Sequence, residues 1–176
     1  MTTILVPLDF SDCAEGVAAA ARARAQAERA RLVFLHVIQV PRGIGADVLV
    51  QPEPGGPSLP LGEYMSAKAT RDMNDFVRRA KDLGLQAEGR LLEGPVVDTI
   101  LSVARDVGAS TVVMGTHERH GVAKLMMGSV SEKVAKKTEL EVVRIPSQHH
   151  AGCTASSCNW CAEAGVFRDP SELVLT

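Results

Sequence analysis

Apolar runs of four to six residues alternate with longer stretches of helical periodicity along most of the chain, the arrangement of parallel strands joined by crossover helices. The first run, Thr3–Leu8, is continuously apolar up to Pro7 and reads as a strand buried on both faces. Ser11 and Asp12 offer caps for an alanine- and arginine-rich helix reaching about Arg29. A second strand, Leu32–Val37, enters a proline- and glycine-rich loop over Pro41–Gly62. From Glu63 to Leu83 the apolar residues Met65, Ala69, Met73, Phe76, Val77 and Ala80 recur at helical spacing, and Gly84 stands at the C-cap. The third strand, Gln86–Leu92, is the least apolar and suits a sheet edge. Gly94–Pro95 opens a helix over Val96–Val107, closed by Gly108. Strand four, Thr111–Met114, runs into Gly115; a helix from near Ser129 leads to strand five, Leu140–Ile145, stopped by Pro146. The pattern therefore predicts an α/β fold with five strands over residues 1–146, and residues 147–176 as an extension that breaks the alternation.

Composition narrows the function classes. With 176 residues, 45% hydrophobic and 23% charged, the chain suits one domain able to bury about two-thirds of its unfolded surface. A net charge of −2 and only 3% aromatic residues favour neither a polyanionic partner nor base-stacking platforms, so nucleic acid and acidic membrane surfaces are not expected partners. No apolar run approaches the ~20 residues of a membrane span. Met1–Ile4 lacks the features of a secretory signal, so a soluble protein in the cytoplasm is expected.

In an open parallel sheet, ligands bind at the carboxyl ends of the strands, where crossovers diverge to opposite faces. The loops after strands one, two and four are thus the candidates. Pro7, Asp9, Ser11 and Asp12 follow strand one; a long segment from Gly115 and Thr116 to Gly128, Ser129 and Val130 follows strand four. Gly128–Ser129 at a helix start would aim free amides and a hydroxyl at an anion, as a phosphate cradle does. Gly115, Gly121 and Gly128 are equally readable as turn glycines, and spacing alone leaves both readings open. Asp9 can cap the first helix or meet a ribose or metal–phosphate group. His36, on a buried strand, reads first as a hydrogen-bonded core histidine. His117 and His120 read as exposed loop residues, Met126 and Met127 as apolar filler, and Cys13 as a small buried residue.

Three segments carry a family likeness: Ile4–Leu5–Val6–Pro7–Leu8–Asp9–Phe10–Ser11, then Leu35–His36–Val37, then Val112–Val113–Met114–Gly115–Thr116–His117. With the closing stretch Gly128–Ser129–Val130–Ser131–Glu132–Lys133–Val134, they resemble the universal stress protein family from Met1 to about Pro146. The resemblance implies a Rossmann-like, open five-stranded parallel sheet of order 3-2-1-4-5 with helices on both faces, and a homodimer often formed through the last strands. It further implies ATP or another adenine nucleotide as ligand, in a regulatory or stress-response role. Pro7 and Asp9 would line the adenosine side, Val37 would offer backbone hydrogen bonds to adenine, Met114 and Gly115 would floor the pocket with Thr116 also in the binding set, and Gly128, Ser129 and Val130 would hold the phosphates. The family's nucleotide pattern is glycine, two residues, glycine, nine residues, glycine, then serine or threonine. Gly115 and Gly128–Ser129 fit it, but Glu118 occupies the middle glycine and brings a negative charge to a phosphate-facing turn. Such repulsion costs on the order of 1 kcal/mol in solvated surroundings. His117, Arg119, His120 and Lys124 are close enough in sequence to offset it.

No nucleophile elbow, P-loop or zinc-protease helix is present. A binding or regulatory module is the leading reading, with an unidentified protein partner compatible with it; slow ATP hydrolysis with Asp9 as base is the enzymatic alternative. The extension supplies a third reading. Cys158 and Cys161 form a C-x-x-C knuckle, and Cys153 with His149 or His150 would complete a tetrahedral zinc set. A disulfide or free thiols are the competing readings, and a two-iron cluster would need distant Cys13.

Overall fold

The computed structural model describes residues 2–11, 14–40, 43–116 and 130–146. Eleven elements follow one another in these segments: β1 (Thr3–Pro7), α1 (Ala14–Glu28), β2 (Arg31–Ile38), β3 (Leu49–Val50), β4 (Leu59–Pro60), α2 (Leu61–Asp82), β5 (Ala87–Glu93), α3 (Val96–Asp106), β6 (Thr111–Thr116), α4 (Val130–Lys137) and β7 (Glu141–Pro146). Five of the strands form one sheet of order β5-β2-β1-β6-β7, and every pairing in it is parallel. This is the Rossmann-like order expected from the sequence, once the two short strands β3 and β4, paired in an antiparallel hairpin of their own, are set aside.

The central strands explain the topology. Ile4, Leu5 and Val6 of β1 and Leu32 to Leu35 of β2 are wholly buried, because each face of the sheet is covered. Ile4, Val6, Leu32 and Phe34 pack with α1 and α2, while Leu5, Val33, Leu35 and Val112 pack with α3 and α4. Alternation along each strand thus divides one apolar run between two cores. The helix α1 approaches with small residues, Ala18, Ala21 and Ala25 being fully buried. The least apolar strand, β5, lies at an edge, and β7 forms the other.

Between β2 and α2 the chain departs from a plain loop. It carries the β3–β4 hairpin, and α2 begins at Leu61 rather than Glu63. The cause is tertiary: the first amides of α2 are bonded from outside, Leu61 N–H donating to the Val48 carbonyl and Gly62 N–H to that of Ala46, both at 2.8 Å. A Cβ at Gly62 would stand 3.2 Å from that of Ala46, so glycine permits the approach. Strand β6 also runs past Met114 to Thr116, because Gly115 and Thr116 are paired with Ile145 and Pro146 of β7.

Candidate functional site

The chain crosses from one face of the sheet to the other between β1 and β6, and there, at the strands' carboxyl ends, lies a crevice of about 590 Å³. That size is ordinary for a small-molecule site. Six of the sequence-predicted residues line it: Pro7, Asp9, Val37, Met114, Gly115 and Val130. Thr116 sits at the tip of β6, paired with Pro146, and is not part of the lining. Gly128 and Ser129 lie outside the described residues, as do Glu118 and the extension with His150, Cys153, Cys158 and Cys161. Among the described residues, no three His, Cys, Asp or Glu side chains are grouped to hold a metal ion. No described helix is long and apolar enough to cross a membrane.

One wall is apolar. Val96 and Ile100, one helical turn apart on α3, stand with Leu35, Val37 and Met114 and close the side of the crevice over the second core. Sequence periodicity assigns Val96 and Ile100 to the buried face of a helix; that the first turn of α3 reaches past the strand tips depends on how the helix docks. Val130 and Ser131 of α4 complete this side of the crevice.

The opposite wall is polar and is built around the turn after β1. Leu8 continues the ladder through its N–H to the Leu35 carbonyl at 2.8 Å. Asp9 then folds back: its Oδ1 accepts from Ser11 N–H at 3.0 Å and from Ser11 Oγ–H at 2.7 Å. This leaves Oδ2 without a partner among the described residues. The turn is sharp because Phe10 adopts φ +57°, a left-handed conformation that costs a bulky side chain about 1–2 kcal/mol. Phe10 is held there by stacking, with ring centroids 4.2 Å from His36 and 5.8 Å from Phe76, which in turn lies 6.1 Å from Phe34.

His36 therefore does more than fill a core. Its Nδ1–H donates to the Leu8 carbonyl at 2.8 Å, as a hydrogen-bonded histidine should, yet the side chain is half-buried and lines the crevice. Gln39, Met65 and Ser11 lie on the same wall. Asp9 is the one charged side chain among the described residues that line the crevice, so this part of the site is anionic.

Gly115 lines the crevice and has a packing reason as well. It is a strand residue paired with Ile145, not a turn glycine. A Cβ there would lie 3.2 Å from Cγ2 of Val17, so the missing side chain lets α1 settle against β6 at the crevice floor.

With this geometry in view, the comparisons with known proteins agree with one another. The model of the universal stress protein family matches residues 1–146. A universal stress protein of Thermus aquaticus is 32% identical over 149 residues, covering 81% of this chain and 97% of its own length. Among solved structures, a universal stress protein in complex with cAMP aligns with a TM-score of 0.63 at 24% identity, over 84% of this chain and 98% of its own. The universal stress protein of Archaeoglobus fulgidus in complex with dAMP aligns with a TM-score of 0.57 at 22% identity, over 82% and 98% respectively.

Proposed function

The chain belongs to the universal stress protein family, and from that premise we propose that it is an adenine-nucleotide-binding regulatory module of the stress response, working as a homodimer. The observation that carries this reading is the crevice itself, lined by an apolar slot and by Asp9, whose Oδ2 has no partner among the described residues, at the switch point of the sheet. Adenine, flat and weakly polar, enters between Val37 and the Val96–Ile100–Met114 surface, where the backbone of Val37 meets the base edge. The ribose lies toward Asp9. The phosphates leave toward Gly128, Ser129 and Val130, where amides at a helix start favour an anion. Support comes from two proteins of the same fold, one solved with cAMP and one with dAMP.

Two features shape the reading. Asp9 on the crevice and Glu118 in the segment after β6 both oppose a highly charged ligand, so AMP or a cyclic monophosphate binds more tightly than ATP. The outer edge of β7, unpaired among the described residues, is the surface through which two copies join. Native mass spectrometry tests both at once. The expected spectrum shows a dimer of the 18.7 kDa chain that takes up AMP, with ATP uptake rising in Glu118→Gly. A monomer that takes up no adenylate, before or after that substitution, overturns the reading.

A further inference from the structure

We propose that Phe10 is a positioning residue that makes the crevice selective for ribose hydroxyls, by holding the Asp9 carboxylate in place through the stack Phe76–Phe10–His36. The inference rests on the adenylate reading and specifies how the sugar is read. Asp9 is exposed, and a free aspartate would sample several rotamers, spending its hydrogen-bonding capacity on water. Here its Oδ1 is tied to Ser11 twice, which fixes the carboxylate and with it Oδ2, an oxygen with no partner among the described residues. A carboxylate oxygen only accepts, so the ligand must present a donor, and a ribose hydroxyl is the donor an adenylate carries beside its base.

The Asp9–Ser11 turn is built around Phe10 at φ +57°. The phenylalanine itself does not favour this, having a Cβ and no short polar group to stabilise the left-handed region, and the Asp9–Ser11 bonds are the local support. Further compensation comes from outside the turn. The ring stacks on His36, itself pinned through Nδ1–H to the Leu8 carbonyl, and on Phe76 of α2. Four aromatic rings thus run from the buried Phe34 to the crevice edge in a chain holding few aromatics. Removing the stack while leaving a Cβ releases the turn to a right-handed conformation and lets Asp9 swing away. Glycine at the same position tolerates the left-handed conformation and keeps part of the geometry.

The test is calorimetric titration of the full-length protein with AMP and with 2′,3′-dideoxy-AMP, which lacks both ribose hydroxyls. The intact protein should prefer AMP about tenfold or more, the size expected for a hydrogen bond to a charged group. Phe10→Ala should bring the two affinities within about threefold, with Phe10→Gly between it and the parent. Phe76→Leu, which keeps an apolar side chain but ends the stack, should also reduce the preference and serves if Phe10→Ala fails to fold by circular dichroism. An equal loss of affinity for both nucleotides, with the preference intact, marks a merely structural role and overturns the inference, as does a glycine variant less selective than the alanine one. A parent protein that binds AMP and dideoxy-AMP equally overturns it while leaving the adenylate reading standing. A parent protein that binds neither overturns both.

Discussion

The two walls of the crevice achieve rigidity by opposite means. On the α3 side, Leu35, Ile100 and Met114 are buried members of a core cluster, so the surface offered to a ligand is the outer skin of the fold's own packing. On the β1 side, the exposed Asp9 is fixed by two hydrogen bonds and a strained neighbour whose strain is offset by ring stacking. A wall of the first kind cannot be altered without altering stability. A wall of the second kind can lose its function and leave the fold intact, and this separates what selects a ligand from what holds the sheet together.

Substitution on the apolar wall is the harshest way to probe that contrast. Ile100 is 1% exposed, and Ile100→Ala should cost about 2–5 kcal/mol of unfolding free energy, read by urea denaturation, together with weakened nucleotide binding. A variant that loses binding at unchanged stability would erase the distinction between the walls. On the polar wall, Asp9→Ala should weaken AMP binding by about 1.5–3 kcal/mol, read by calorimetry, while its unfolding midpoint stays close to that of the parent because the side chain is exposed.

Gly115 sits where the walls meet. Gly115→Ala should cost about 1 kcal/mol through the close approach to Val17, and pairing it with Val17→Ala should return part of that loss, a non-additivity measurable in a double-mutant cycle. Were the glycine needed only for ligand approach, the cycle would be additive in stability.

The same boundary between stability and binding was only partly legible in the sequence. Five apolar runs and their helical spacers announced the parallel sheet, because burial on both faces leaves an unmistakable composition in β1 and β2. The candidate residues after strands one, two and four followed from topology, since the ends of parallel strands are where crossovers part. His36 was legible only as a buried position: period-two alternation puts it on the face of Phe34 but says nothing of where α1 begins. That His36 lines the crevice and stacks on Phe10 is a tertiary fact. Phe10 was equally silent, since a left-handed phenylalanine violates local preference and is stabilised by Phe76, sixty-six positions along the chain. The β3–β4 hairpin escaped notice because two-residue strands carry no period, and the outside capping of α2 by Val48 and Ala46 has no local signature.

The smallest effect lies away from both walls. Glu141 on β7 accepts from Arg24 of α1 and from Thr111 Oγ1, and the Arg24 guanidinium holds its carboxyl below the ordinary value. Asp75 is lowered likewise by Arg78 and Arg79 on α2. A carboxyl lowered in the folded state contributes stability above its unfolded value, and that contribution fades as pH falls through the carboxylate range. Glu141→Gln should therefore be slightly less stable at neutral pH, with the gap closing toward about pH 3, and should bind AMP as the parent does. A gap that widened on acidification would reverse the sign of this contribution.

The most direct measurement is calorimetric titration of AMP into the parent protein and into Asp9→Ala, with folding of both checked by their unfolding curves. A saturable heat in the parent, reduced about tenfold or more in affinity by the substitution, is the result predicted. Silence toward AMP in the folded parent, or an affinity that the loss of Asp9 leaves untouched, would contradict an adenylate seated between the two walls.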